Sequence, residues 1–157
     1  MRRTSASVTT PPCWQEAPVT YLGPLVTAVA VETSARRTFA WAVDWPGWCR
    51  AGKGEQAALA ALEAAAPRYA VVVAEAGLAF PRSAARSFDV VDRAQGTATT
   101  DFGAPDRTTD ADLRGLGRAG ASRLAELVAA SWRVLADVAA GAPPELRKGP
   151  RGRRARS

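Results

Sequence analysis

The pattern of apolar and polar positions changes at Leu25. From there LVTAVAVET is rich in β-branched residues, TSARR is a polar break, and RTFAWAVDW alternates, with Phe39, Trp41 and Val43 on one face. A period of two is typical of strands, and a short polar break between two such runs favours a hairpin. Residues 48–50 add a short third strand, so the pattern predicts a three-stranded antiparallel meander.

A helical pattern follows Gly52-Lys53-Gly54. The segment EQAALAALEAAA has high helix propensity, with Glu55 in its first turn. The next segment, PRYAVVVAEAG, is ambiguous. Its run of three valines favours a strand, whereas Pro67 at a first helical position and Gly77 just past the end favour a second helix.

The pattern beyond residue 87 predicts a second strand pair and a long helix. FDVVDR (88–93) and TATTDF (97–102) are separated by Ala94-Gln95-Gly96, which favours a second hairpin. Residues 121–140 place large apolar side chains at helical spacing, too many to leave exposed as one continuous patch. This stripe consists of Leu124, Leu127, Val128, Trp132, Leu135 and Val138. We expect it to cover the open face of the sheet, to mediate self-association, or to pack on helices of a longer protein.

Together these segments predict an α+β fold. A small antiparallel sheet, built from the three-stranded meander and a second hairpin, is covered by helices and followed by a long C-terminal amphipathic helix. The expected organisation is a flexible leader (1–24), a sheet-plus-helix module (25–86), a strand pair with the long helix (87–141) and a disordered basic tail (142–157).

The positive charge of the chain is concentrated at its end. Six of the 21 Lys and Arg lie within residues 147–157, which contain no acid, so the other 146 residues carry 15 basic and 15 acidic groups. A nucleic-acid-binding domain usually carries its basic charge on folded structure. We therefore expect nucleic acid to be contacted through the tail at most.

Residue types missing from the chain exclude several chemistries. There is no histidine, which excludes Ser-His-Asp and Cys-His nucleophiles, and the two cysteines, Cys13 and Cys49, cannot supply an ordinary zinc set. We predict no catalytic residues, no metal and no cofactor. The sequence contains neither a run of about 20 apolar residues nor a secretory h-region, which predicts a cytoplasmic protein with no membrane contact.

The segment Asp44-Trp45-Pro46-Gly47-Trp48 predicts a turn, with Pro46 and Gly47 at the central positions of a type II turn. Asp44, Pro46 and Gly47 are assigned to the turn itself, and Trp45, Trp48 and Arg50 are candidate contacts to a protein partner, because aromatic and Arg side chains are enriched at binding hot spots. On this interpretation, Gly47→Val should damage folding more than Trp48→Ala.

Residues 38–81 resemble the HicB antitoxin family. TFAWAVDWPGWCRAGKGEQAALAALEAAAPRYAVVVAEAGLAFP follows that family's order of a strand, an Asp-aromatic-Pro-Gly turn, a short strand, Gly and a Glu/Ala/Leu helix. Gly77-Leu78-Ala79-Phe80-Pro81 is similar to the family's exit from the helix. With the first strand, the resemblance covers about residues 25–81, and it favours helix over strand for 67–76.

The resemblance implies a partial RNase H-like module that acts in bacteria as an antitoxin by gripping a small RNA-cleaving toxin. This chain departs from the family because no helix-turn-helix or ribbon-helix-helix segment is legible. Residues 88–150 also resemble, more weakly, uncharacterised bacterial proteins that join a HicB-like module to a DinB-like helical bundle. DinB-like proteins commonly use a histidine-rich metal site, and this chain has no histidine with which to build one.

Three functional hypotheses follow. The first is a non-catalytic protein-binding or regulatory module of antitoxin type, and the second is a fragment of a longer HicB/DinB-like protein. The third is a cryptic metal-dependent nuclease. Its four candidate carboxylates are Asp44, Glu63, Asp89 and Asp92. Such a nuclease requires those carboxylates to converge on one cleft, whereas charged surface positions are their more usual role.

Overall fold

The computed structural model describes residues 26–80, 84, 86–143 and 145. Its elements, in chain order, are β1 (Thr27–Thr33), β2 (Thr38–Ala42), β3 (Cys49–Gly52), α1 (Glu55–Glu75), β4 (Phe88–Gln95), α2 (Ala98–Phe102) and α3 (Arg118–Ala140). This is an α+β architecture with a long C-terminal helix, as the sequence predicts.

The four strands form one mixed sheet in the order β3-β2-β1-β4. The antiparallel pairs β1–β2 and β2–β3 confirm the predicted three-stranded meander. β4 instead pairs parallel with β1, and a bulge shifts the register between Val29 and Ala30. The expectation of a wholly antiparallel sheet is therefore wrong, because α1 crosses over the sheet and returns the chain in the direction of β1.

The predicted second hairpin does not form. FDVVDR is a strand, but TATTDF forms the short helix α2. Thr97 caps this helix, since its side chain accepts a hydrogen bond from the Thr99 N–H and the Thr100 hydroxyl accepts one from the Thr97 N–H. The β-propensity of the threonines is overridden because their hydroxyls satisfy the free N–H groups at a helix start.

The two helical segments predicted on either side of Pro67 form one helix. α1 runs through Pro67, which lies on its exposed side together with Glu63. Proline removes the hydrogen bond to the carbonyl four residues earlier, here that of Glu63, and solvent can satisfy this carbonyl at the surface. The helix prediction for 67–75 is confirmed, and the expected break is wrong.

The end of α1 also agrees with the sequence. Gly77 has φ of +68°, the Leu78 N–H donates to the Val73 carbonyl at 3.0 Å, and the Gly77 N–H donates to the Ala74 carbonyl at 3.0 Å. This is the Schellman arrangement, which needs glycine at the left-handed position.

One core unites the sheet, α1 and α3. Val29 and Val31 of β1 pack with Leu62 and Val73 of α1, and Leu127 of α3 belongs to the same cluster. Elements of the segments 25–86 and 87–141 thus share one sheet and one core. The leader 1–24 and almost all of the tail 142–157 lie outside the described residues.

Of the described helices, α1 is the one long and apolar enough to cross a membrane by length and composition. A helix that packs on a sheet passes the same test. Six α1 side chains are buried in this way: Ala58, Leu62, Ala65, Ala66, Tyr69 and Val73.

Candidate protein-binding surface

The long helix α3 buries only part of its apolar stripe. Leu127 and Ala130 are fully buried, and Leu124 is half-buried. Successive residues are 100° apart around a helix, so Leu127 and Ala130 mark the side of α3 that packs on the core. The other large apolar residues of the stripe lie next to that side. α3 is therefore docked through one narrow strip.

The rest of the stripe is exposed to solvent. Four side chains, each between 50% and 67% exposed, form what we call the α3 face: Val128, Trp132, Leu135 and Val138. Helical spacing places Val128, Trp132 and Leu135 on one flank of α3 and Val138 at the edge of that flank nearest Leu127. Neighbouring positions outside the stripe, such as Ser131, Ala125 and Ala139, are also uncharged. Contiguous apolar patches of this kind mark sites of interaction.

Two arginines hold α3 against the rest of the molecule. Arg133 pairs with Glu75 at the end of α1, with Nε 2.6 Å from the carboxylate oxygen. Near the start of α3, Arg123 donates to the carbonyl of Asp44 at 2.7 Å, and its guanidinium lies 4.3 Å from the centre of the Trp45 ring. The α3 face is thus carried by a helix anchored at two levels.

The predicted turn forms with Pro46 and Gly47 at its centre. The Trp48 N–H donates to the Trp45 carbonyl at 3.1 Å, and Gly47 has φ of +88°, as the third position of a type II turn requires. The hydroxyl of Tyr69 donates to the Pro46 carbonyl at 3.0 Å, which ties the turn to α1. Asp44 contributes its backbone carbonyl to Arg123, as described above.

Trp45 and Trp48 are not at the surface. Trp48 is 1% exposed, stacks on Tyr69 with a ring separation of 5.7 Å, and meets Phe80 edge-on at 5.3 Å. Its Nε1 donates to the Leu62 carbonyl at 2.9 Å. Trp45 meets the same Tyr69 and Phe80 rings. The expected exposure of both indoles is wrong, because the turn folds them inward onto α1.

Arg50, the third candidate contact, is half-buried on β3. Its Nη1 donates to the carbonyl of Cys49 at 2.6 Å, so part of the guanidinium is used within the strand. The structure does not group Arg50 with the α3 face. A partner-binding role for Arg50 stays a prediction.

The four candidate carboxylates are spread over different elements. Asp44 lies in the turn, Glu63 on α1, and Asp89 and Asp92 on β4, where the Asp92 side chain accepts a hydrogen bond from the Asp110 N–H at 2.8 Å. Within the described residues, no three His, Cys, Asp or Glu side chains are close enough together to hold a metal ion. The convergence that a two-metal nuclease requires is not found there.

A buried carboxylate that the sequence analysis missed lies on β1. Glu32 is fully buried and accepts hydrogen bonds from the Thr100 hydroxyl, from the Asp106 N–H at 3.1 Å and from the Arg107 N–H at 2.9 Å. In the sequence it follows an apolar run and resembles an ordinary strand end. The sequence does hold one indication of this burial. An acidic residue within an apolar strand must find buried hydrogen-bond donors if its side chain is to be buried.

Cys49 has the environment of an unreactive thiol. It is a free, half-buried cysteine, and burial raises its pKa above the usual value. Because the thiolate is the nucleophile, a raised pKa slows alkylation. We expect Cys49 to react with iodoacetamide at pH 8 several-fold more slowly in the native Cys13→Ser variant than in the same variant unfolded in urea. Equal rates would contradict this environment.

Comparisons of the chain with protein-family models, with curated proteins and with solved structures each found no match.

Proposed function

We propose that this chain is a non-catalytic, HicB-like protein-binding module that acts through its α3 face. The observation that carries the proposal is the exposure of Val128, Trp132, Leu135 and Val138 on a helix otherwise docked by Leu127. Leaving a large aliphatic side chain in water forgoes about 1.5 to 3 kcal/mol relative to burial. A protein surface that covers this face would recover much of that free energy.

The distribution of charge on α3 favours a second copy of the chain as the partner that covers the α3 face. The charged residues of α3 lie elsewhere on the helix, with Arg123 turned toward Asp44 and Arg133 toward Glu75. Two copies of an uncharged face can meet without repulsion or unpaired charge, and an isologous contact needs only one self-complementary patch. Four side chains bury less than the roughly 800 Å² per partner of a standard interface, so we expect a weak dimer.

The HicB-like resemblance supports a binding role from an independent direction. The meander, the crossing helix and the fourth strand beside β1 are compatible with the partial RNase H-like module that it implies. Modules of that family act by gripping a small protein, and antitoxin-like regulation is the corresponding role for this chain. We propose that this role is performed in the cytoplasm.

The test is the oligomeric state of the full chain. We expect multi-angle light scattering to show concentration-dependent dimers, and Leu135→Glu to abolish them because it places a charge in the middle of the α3 face. Leu113→Glu is the matched control, since Leu113 is also an exposed leucine but lies outside α3, with 74% of its surface in solvent. The control should dimerise like the unmodified chain.

Two results would contradict the proposal. One is a chain that stays monomeric up to about 1 mM, where an association free energy near −4 kcal/mol would already be visible. The other is a dimer that both glutamate substitutions weaken equally, since that would place the contact elsewhere. Circular dichroism of each variant excludes simple unfolding as the cause.

A further inference from the structure

A second feature of the surface lies away from the α3 face, at the turn between β1 and β2. There a cavity of about 530 Å³ opens between this turn and the residues that precede α1. We call it the hairpin cavity. It is lined by Thr33, Ser34, Ala35, Arg36, Arg37, Thr38, Lys53 and Gly54. Its volume falls within the range of ordinary small-molecule sites.

The hairpin cavity is basic although the folded part of the chain is balanced in charge. Arg36, Arg37 and Lys53 line it and are exposed. The two side-chain ion pairs found among the described residues are Arg93–Glu55 and Arg133–Glu75, and neither involves these three cations. Arg36 and Arg37 lie close enough to the Asp101 carboxylate to contribute to the lowering of its pKa, and the end of the Arg37 side chain lies beside Gly103.

One acid lies at the rim, and it is already engaged. The Asp101 carboxylate accepts hydrogen bonds from the Ser34 hydroxyl at 2.5 Å and from the Arg36 N–H at 3.0 Å. The bond from Ser34 is the main cause that holds the pKa of Asp101 below its usual value. Asp101 offsets part of the positive charge, and three cations against one acid leave an excess.

The turn that carries the two arginines is held in one shape. The Ser34 N–H donates to the Arg37 carbonyl at 2.8 Å, the Ser34 hydroxyl oxygen accepts from the Arg37 N–H at 3.3 Å, and the Asp101 bonds attach the turn to α2. Adjacent arginines on a fixed turn lose less conformational freedom on binding than arginines on a mobile loop. The cavity is thus built before a ligand arrives.

The opposite wall of the cavity is the start of α1, where the helix backbone adds positive electrostatic potential. Gly54 is the N-cap residue of the 21-residue helix α1, and no side chain caps the helix there. The first N–H groups of α1 lack helical partners, and the helix dipole places partial positive charge at this end. Gly54 has φ of +88°, a backbone conformation that a larger residue would strain.

We propose that the hairpin cavity binds a phosphate group through Arg36, Arg37 and Lys53. Guanidinium groups pair with phosphate oxygens through two parallel hydrogen bonds, and the Lys53 ammonium adds a further positive charge. Among the described residues, no aromatic side chain lines the cavity, so none of them offers a nucleobase a stacking partner there. The group recognised is therefore the phosphate, which a free phosphorylated metabolite and a nucleic-acid backbone share.

The experiment is a nuclear magnetic resonance titration of the full ¹⁵N-labelled chain with inorganic phosphate, adenosine triphosphate and a short single-stranded RNA. We expect all three to shift the amide signals of residues 34–37 and 54–57. Tighter binding of the triphosphate than of the RNA identifies a small phosphorylated molecule as the source, and the reverse order identifies a nucleic-acid backbone. An absence of shifts at these amides with every probe overturns the proposal.

A charge-matched pair of variants separates the cavity from the general basicity of the chain. Arg36→Gln with Arg37→Gln should weaken phosphate binding at least about tenfold, about 1.4 kcal/mol. Arg68→Gln with Arg114→Gln removes the same charge at two exposed positions outside the cavity and should leave the affinity nearly unchanged. Equal weakening by both pairs would show that net charge, including that of the tail, carries the binding, and would overturn the site. Dimerisation is measured separately by light scattering, so a negative result for phosphate binding does not contradict the proposal for the α3 face.

Discussion

Replacing Trp48 with alanine is expected to destabilise the fold by about 3 to 5 kcal/mol, the range for removing a buried tryptophan. The ring lies at the centre of the aromatic cluster with Tyr69, Phe80 and Phe88, and its Nε1 bonds the Leu62 carbonyl. A small domain has about 5 to 15 kcal/mol of stability in total. Urea denaturation followed by circular dichroism measures the loss.

Two comparisons make this prediction specific. Trp132→Ala removes the same side chain from the exposed α3 face and, in dilute solution, should change stability by no more than about 0.5 kcal/mol. Gly47→Val should cost about 1 to 3 kcal/mol, because it strains a positive φ but a Cβ at Gly47 meets no atom within 4 Å. The order expected from sequence, with Gly47→Val the more damaging, is thus reversed. A loss for Trp48→Ala no larger than that for Trp132→Ala would contradict the buried cluster.

Glu32→Gln is the second substitution with a large expected effect. The carboxylate accepts from one hydroxyl and two backbone N–H groups, and an amide has only one oxygen to offer them. The NH₂ group of the glutamine would face a hydrogen-bond donor. We therefore expect the free energy of unfolding to fall by about 2 to 3 kcal/mol, as for the loss of hydrogen bonds to a charged group. Equilibrium unfolding in urea measures this loss.

The matched control is Glu63→Gln, the same substitution at an exposed position of α1. It should change the free energy of unfolding by less than about 0.5 kcal/mol. If Glu32→Gln were equally harmless, the hydrogen bonds to residues 106 and 107 would contribute nothing to stability. Hydrogen exchange at the amides of Asp106 and Arg107 supplies a local readout, since both should exchange faster in the Glu32 variant.

Local chemistry explains what the sequence predicts well. The meander, the Pro46–Gly47 turn and the end of α1 at Gly77 depend on period, turn residues and caps, which act over a few neighbouring positions. The long helix α3 follows from its apolar spacing in the same way. These elements agree with the structure because no distant partner is needed to decide them.

Long-range partners explain what the sequence does not predict. The parallel alignment of β4 depends on which edge of β1 is open, and the segment TATTDF is joined to β1 through the hydrogen bond from Thr100 to Glu32. Whether Trp48 points inward depends on Tyr69 and Phe80, which lie more than 20 residues away. The hairpin cavity likewise joins a strand turn to a helix start, and only the fold brings Lys53 beside Arg36 and Arg37.

The parallel pairing of β4 with β1 has a consequence for the order in which the chain can fold during synthesis. The hairpin of β1 and β2 closes over a few residues, whereas β1 meets β4 only after more than 50 further residues have been made. Contacts between distant segments form late because loop closure must come first. Until the ribosome has released β4, one edge of β1 exposes unpaired backbone groups, the kind of edge on which strands of other chains can add. The nascent chain is therefore most prone to aggregate in the interval between completion of α1 and arrival of residue 95.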